Sequence, residues 1–303
     1  MLLEDVLAGT VRSGTSVLFA AQGELIAERS GVINLGTEGC MLTGALTAFA
    51  VTSATHNVVL GVAAGAGAGA LLALLHAFVV ITCGANQLAS GLAVTFLGLG
   101  LTSWLGADYV SKSIHALNPV DIPLLSDIPF VGTVLFHHDV LTYIGLALGP
   151  LIFLFLYRTR AGLILRATGE QGAVAFAYGH SPTLVRYLAV MAGGALAAIG
   201  GAQLVLAYTL NWVENATVGR GFVAVALVIF AGWEPLKATL GAFVFGGALA
   251  LQLQLQARGV DISPFLLNMA PYLLTLAILV VATRGRAQRP PEEIRAVFGT
   301  AGA

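Results

Sequence analysis

From 39 to 107 the sequence contains no Asp, Glu, Lys or Arg. A soluble domain of this chain's 303 residues covers its surface with charge, and ~25% charged residues is usual. Here charged residues make up 10% and hydrophobic residues 57%. A charge-free stretch of that length belongs in a bilayer, where backbone polar groups must be satisfied inside the segment and helices of ~20 residues are the solution. The run holds three such segments, 39–55, 58–81 and 88–106, interrupted at Thr55-His56-Asn57 and at Cys83-Gly84-Ala85-Asn86-Gln87. Charge-poor runs at 3–22, 139–157, 184–209, 221–233, 236–256 and 265–283 complete the set. The expected fold is an all-α polytopic membrane helix bundle of about nine (8–10) membrane segments. Segment 221–233 is too short for an ordinary span and reads as broken or re-entrant. One transmembrane domain, 1–283, is expected to be followed by a tail, 284–303.

Charge places the loops. The 158–186 connection carries Arg158, Arg160, Arg166 and Arg186 against Glu170, and the tail carries Arg284, Arg286, Arg289 and Arg295. By the excess of basic residues on the cytoplasmic side, both loop and C-terminus are expected there. The 107–138 connection, with Asp108, Asp121 and Asp127 against Lys112, is expected outside, and nine spans then put the N-terminus outside. With 15 acidic and 14 basic residues, no bulk charge favours nucleic acid as a partner. Acidic residues precede the first base, Arg12, so the start does not read as a cleavable signal. Cys40 and Cys83 sit in apolar stretches and suggest neither a disulfide framework nor a metal site.

Enzyme signatures are missing. Neither Lys112 nor Lys237 stands in G-x-x-x-x-G-K-[ST], so the chain shows no phosphate-binding loop of its own. There is no H-E-x-x-H, and no G-x-S-x-G. His137-His138-Asp139 reads as a solvated loop end rather than a metal site.

The polar residues are concentrated. Gly23 to Gly39 holds three glutamates, an arginine and an asparagine between apolar runs. Glu28 and Arg29 read as a boundary at the membrane surface. Asn34, with Thr37 and Glu38 behind it, reads as a helix start, because an Asn side chain accepts from free N–H groups and Glu suits the positive end of a helix. A helix capped at the surface and a helix that starts inside the membrane both fit that spacing. Asn86, Gln87 and Ser90 open the next segment in the same style, with amides able to donate and accept at once. Glu214, Asn215 and Arg220 read as a solvated outside turn, and Trp233 to Lys237 as a cytoplasmic-side turn with an interfacial Trp. Gly61, Gly65 and Gly69 recur at every fourth residue and predict close helix packing.

Together, G-E-L-I-A-E-R-S-G-V-I-N-L-G-T-E-G, N-Q-L-A-S-G, the R-A-T-G-E loop, Gly219 to Ala224 and Ile229 to Leu236 resemble the permease subunits of bacterial ABC importers. The similarity covers roughly residues 15 to 283 and lies nearest the nucleoside branch, related to ribose and branched-chain amino-acid permeases. The resemblance implies a pore formed with a second, homologous or identical permease in the bacterial cytoplasmic (inner) membrane. It implies ATP and Mg on a separate cytoplasmic ABC ATPase, no cofactor on this chain, and delivery of cargo by an extracytoplasmic substrate-binding protein or lipoprotein. It places Asn34, Glu38, Asn86, Gln87 and Ser90 in the substrate pathway. It places Arg166, Gly169, Glu170 and Gly179 in the ATPase-coupling loop, about 158–186. Where relatives commonly read G-E-N-P, this chain has Gly169-Glu170-Gln171-Gly172, and Phe176 stands in place of a small residue. Permeases for simple sugars or branched-chain amino acids are the neighbouring readings. An ion-coupled secondary transporter is the rival from another class, and the scarcity of acids within the spans opposes it.

Overall fold

The structure is a computed structural model that describes residues 2–114, 117–123, 125–126, 128–259, 263–283 and 290–299. Among the described residues the regular secondary structure is helical except for one small hairpin. In order come α1 (Leu2–Arg29), α2 (Thr37–Thr55), α3 (Val58–Ala77), α4 (Gln87–Gly106), α5 (Val131–Leu135), α6 (Val140–Arg158), α7 (Arg160–Glu170), α8 (Gly172–Ala177), α9 (Pro182–Gln203), α10 (Arg220–Phe230), α11 (Pro235–Ala257), α12 (Pro264–Thr283) and α13 (Glu292–Gly299). Single π-helical turns, Phe78–Thr82 and Leu204–Tyr208, extend α3 and α9. The hairpin pairs β1 (Val120–Asp121) with β2 (His137–His138).

Each apolar run expected from the sequence falls on a helix. Among the described residues, five helices are long and apolar enough to cross a membrane: 58–82, 87–109, 140–158, 182–208 and 235–257. Arg220–Phe230 and Phe265–Ala277 are shorter apolar helices. At 1.5 Å per residue the 11 residues of α10 rise only ~16 Å, about half a hydrocarbon core. The first helix departs from expectation. It does not end near residue 22 but continues through Glu24 and Glu28 to Arg29, and both glutamates are buried.

α1 and α9 form the centre of the bundle. α1 packs against α9, α10 and α11, while α9 packs against α1, α2 and α3. The order of elements recurs in the two halves: a long buried helix, a non-helical break, then α2 and α3 in one half and α10 and α11 in the other. Small residues set the approach. A Cβ at Gly23 would lie 2.4 Å from the Gly193 carbonyl oxygen, and one at Gly44 would lie 2.4 Å from Ala198 Cα. The expected Gly stripe is used in this way: Gly61 faces Thr52, Gly65 faces Gly44 and Ala48, and Gly69 faces Gly194 and Ala198, whereas Gly67 faces open space.

At one end of the bundle lie α7 and α8. Thr159 caps α7 by accepting from Gly162 N at 3.0 Å, and Ser181 caps α9 with Pro182 at its first position. At the other end Asp139 caps α6, and Asp121 pairs with His137 across the hairpin. His138 and Asp139 are buried, so this cluster is not the fully solvated loop end that the sequence suggests.

Candidate functional site

Residues 30–36 separate α1 from α2 without helical hydrogen bonding, yet Ser30 and Val32 to Asn34 are buried. Buried backbone groups outside a helix need partners from elsewhere. Three other helices supply them. Glu24 Oε1 on α1 accepts from Asn34 N at 2.7 Å, and its Oε2 accepts from Thr37 Oγ1 at 2.7 Å. Gln87 Oε1, in the first turn of α4, accepts from Ile33 N at 2.8 Å. Thr95 Oγ1 donates to the Leu35 carbonyl at 2.8 Å. His76 Nε2 lies 3.0 Å from the Ile33 carbonyl, and its Nδ1 lies 3.0 Å from Ser90 Oγ. A carbonyl only accepts, so Nε2 carries the proton and a neutral His76 accepts from Ser90 through Nδ1.

Asn34 does not cap α2 directly. Its Oδ1 accepts from Gly36 N at 2.9 Å, a local turn, while its carbonyl accepts from both N and Oγ1 of Thr37. Gly36 is the residue at the cap position, with no side-chain cap, and α2 begins at Thr37. Asn86 does cap its helix, accepting from Ala89 N at 3.0 Å.

Glu38 serves a different helix from its own. Its Oε1 accepts from Thr217 Oγ1 at 2.5 Å and Gly219 N at 2.8 Å, and its Oε2 accepts from Gly221 N at 2.6 Å. The carboxylate thus satisfies the free N–H groups at the start of α10. The two first turns touch there: a Cβ at Gly221 would lie 2.5 Å from Glu38 Cα. Arg220 beside it is not a solvated charge. It lies over the Tyr208 ring at 5.6 Å and donates to Ser16 Oγ at 2.9 Å.

The turn between α10 and α11 is fixed by α1. Arg29 donates from Nε and Nη2 to the Trp233 carbonyl at 2.9 and 2.7 Å, and from Nη2 to Tyr157 Oη at 3.1 Å. The Trp233 indole N–H donates to Glu28. Glu28, Arg29 and Trp233 therefore form a clamp between α1 and the turn before α11, and Trp233 is buried instead of facing lipid as the interfacial Trp expected from the sequence would.

Of the pathway residues expected from the sequence, the structure gathers Asn34, Gln87 and Ser90 around the 30–36 break and turns Glu38 toward α10. It leaves Asn86 exposed at the start of α4. Of the loop residues, Arg166 folds back on α6: Nε donates to the Leu156 carbonyl at 3.0 Å and the guanidinium lies 4.8 Å from the Tyr157 ring. Gly169 is buried where a Cβ would meet the Arg29 carbonyl at 2.2 Å. Glu170 is exposed, and Gly179 is exposed at φ +82° just beyond α8. Around them α8 and the turn after it present Val174, Phe176 and Tyr178, with Phe176 73% and Tyr178 81% exposed.

Glu24, His76 and Thr95 do not stand out in the sequence as supports of the break. Glu24 and Glu28 are one helical turn apart and so share a face of α1, which is the sequence signal that could have found the first of them.

A family model described as branched-chain amino acid transport system / permease component matches residues 6–283. A putative glucose ABC transporter permease protein of Haloferax volcanii is 40% identical over 299 residues, covering 91% of each chain. A guanosine ABC transporter permease protein of Bacillus subtilis is 32% identical, covering 95% of each, and a nucleoside ABC transporter permease protein of Lactococcus lactis is 29% identical, covering 92% of each. No solved structure matches the chain. A family match across nearly the whole helical bundle, with relatives at 40% and 32% identity over nine-tenths of their own length, shows that the chain belongs to the branched-chain amino acid transport system / permease component family.

Proposed function

We propose that this chain is the transmembrane permease of an ATP-driven importer for nucleosides. The observation that carries the reading is the pairing of a buried, side-chain-supported break at 30–36 with an apolar knob at 172–178, joined where Gly169 packs on Arg29 and Gly31. A knob of that kind fits a groove in a soluble partner, and the contact of the adjoining α7 with the end of α1 gives the partner mechanical access to the break. The partner is a cytoplasmic ABC ATPase that holds ATP and Mg, a second permease completes the pore, and an extracytoplasmic binding protein or lipoprotein delivers cargo. The excess of arginine in 158–186 and in the tail puts both on the cytoplasmic side in this reading.

In this reading ATP binding draws the ATPases together, and the knob tilts α1 and α7 as a unit. The break then shifts relative to α4 and α10, exposing the pathway to one side or the other. Asn86 and Gln87, at the accessible start of α4, are the members of the expected set that a solute reaches. Asn34, Glu38 and Ser90 shape the path from behind by fixing the break and the start of α10. Uncharged amides suit a polyhydroxylated neutral cargo that must be held weakly and released.

The relative at 40% identity that is named for glucose favours a second reading, a simple sugar as cargo. Uptake of labelled guanosine, adenosine, glucose and ribose by cells carrying the full complex, against cells lacking this chain, decides between them. Saturable nucleoside uptake that requires this chain is expected. Uptake of glucose or ribose alone transfers the assignment to sugars, and loss of none of the four removes it.

A further inference from the structure

The C-terminal helix α13 does not hang free of the bundle: it packs on α7, with Ile294 fully buried and Pro291 buried beside it. Glu293 is at the centre of the contact. Its Oε1 lies 3.0 Å from Arg186 Nη2 and accepts from Gly172 N at 3.2 Å. Gly172 is the first residue of α8, and Gln171, at the cap position, supplies no side-chain cap of its own. Arg186 in turn points Nε at the Ser30 carbonyl at 3.4 Å. Glu293 also rests directly on the break. Gly31 has φ +95°, and a Cβ there would lie 2.9 Å from Glu293 Cβ, so a side chain is excluded by both backbone conformation and space.

One carboxylate therefore touches the start of α8, the arginine in the first turns of α9 and the first residues of the 30–36 break. These are the elements that must move together if force on the 172–178 surface is to reach the break. We infer that Glu293 is a positioning residue for coupling: it fixes α8 to the break through Gly172, Arg186 and Gly31, so that the C-terminal segment belongs to the coupling apparatus. The inference rests on the reading of 172–178 as the ATPase-docking surface. A carboxylate is suited to the task because it accepts from a backbone N–H and a guanidinium at once, and charge-assisted bonds are the stronger kind. Alanine offers neither, whereas glutamine retains an acceptor for Gly172 and gives up the ion pair.

The test uses the full assembled transporter in lipid nanodiscs, with ATPase stoichiometry, ATP hydrolysis, solute uptake in proteoliposomes and backbone hydrogen exchange of 171–179 measured together. Glu293→Ala is expected to keep its ATPases and to continue hydrolysing ATP while transporting less solute per ATP. It is also expected to quicken exchange across 172–178 about tenfold, the population change that accompanies loss of one charge-assisted hydrogen bond. Glu293→Gln is expected to fall between Ala and the unaltered chain in both readouts, and it supplies the answer if the alanine variant does not assemble. Wild-type exchange at 172–178 in both variants overturns the inference. Faster exchange with unchanged solute transported per ATP also overturns it, because Glu293 is then a local cap alone. Phe176→Asp is the control for the underlying reading: if that variant keeps its ATPases and its uptake, the docking surface is wrongly placed, whatever Glu293 does.

Discussion

Glu38 lies in the first turn of α2 and caps α10, accepting from the backbone N–H of Gly219 at 2.8 Å and of Gly221 at 2.6 Å. The relationship explains how an 11-residue apolar helix is held within a membrane bundle. A carboxylate reaching across from α2 accepts from two of its first N–H groups, of which that of Gly221 is buried. Beyond its other end Arg29 holds the Trp233 carbonyl in the turn between α10 and α11, so charged residues on other helices pin the chain on both sides of α10.

Glu38→Ala leaves the buried Gly221 N–H and Thr217 hydroxyl, and the half-buried Gly219 N–H, without their acceptor. At ~1–3 kcal/mol per orphaned buried donor, the two buried donors put the loss on the order of 2–6 kcal/mol of stability. Glu38→Gln retains one acceptor oxygen and should lose less. Thermal unfolding of the purified protein in detergent checks the order; equal melting of all three would show that α10 is held by other contacts.

The glycines of α3 give a paired comparison. At Gly69 a Cβ would meet Ala198 Cβ at 2.4 Å and the Gly194 carbonyl oxygen at 2.5 Å, so Gly69→Ala should separate α3 from α9 and depress melting and expression. At Gly67 a Cβ meets nothing, so Gly67→Ala should be neutral or stabilising by up to ~1 kcal/mol through helix propensity. Identical behaviour of the two variants would refute the packing register.

Gln87→Leu removes the acceptor of the Ile33 N–H. The expected loss is ~1–3 kcal/mol, with faster backbone exchange confined to 30–36. Exchange mass spectrometry of that segment is the measurement, and an unchanged rate at Ile33 would mean that the break does not depend on α4.

Glu170 is exposed at the end of α7, beside the proposed docking surface. Glu170→Arg should leave membrane assembly intact, because no buried group is disturbed, while reducing uptake at least severalfold through the reversed charge at the partner's surface. Normal uptake by this variant would take Glu170 out of the coupling role.

Trp233→Phe keeps most of the buried ring and removes the indole N–H donated to Glu28. The cost should approach that of one charge-assisted hydrogen bond, ~1.5–3 kcal/mol, well above that of a conservative aromatic exchange at an exposed interfacial site. Melting of the variant alongside Trp104→Phe, whose ring is 76% exposed, provides the contrast.

Asn86 was legible as a cap because the interaction is local: an Asn side chain reaches an N–H three residues on, and only the chain's own sequence is involved. The glycine stripe was legible for the same reason, since a four-residue spacing puts Gly61, Gly65 and Gly69 on one face whatever that face meets. The turns at 214–219 and 231–233 stand where the sequence put them, but Glu28, Arg29, Arg220 and Trp233 were read as solvated or interfacial groups and instead make contacts between helices. A charged residue bordering an apolar run marks a membrane boundary only when no partner awaits it inside, and those partners lie some 200 residues away along the chain.

The sequence by itself determined that this chain is a helical membrane protein that resembles a permease family. Continuous apolar runs of ~20 residues suit helices, whose backbone is satisfied within the segment, and not the short alternating strands of a barrel. The tertiary structure alone decided what the polar residues do. Glu24, Gln87, His76 and Thr95 converge on one stretch of non-helical backbone, Glu38 caps a helix that begins 182 residues after it, and Glu293 reaches back from the tail to Gly172. A buried polar group takes whichever partner the packing brings within ~3 Å, and which partner that is depends on how the helices pack rather than on local sequence.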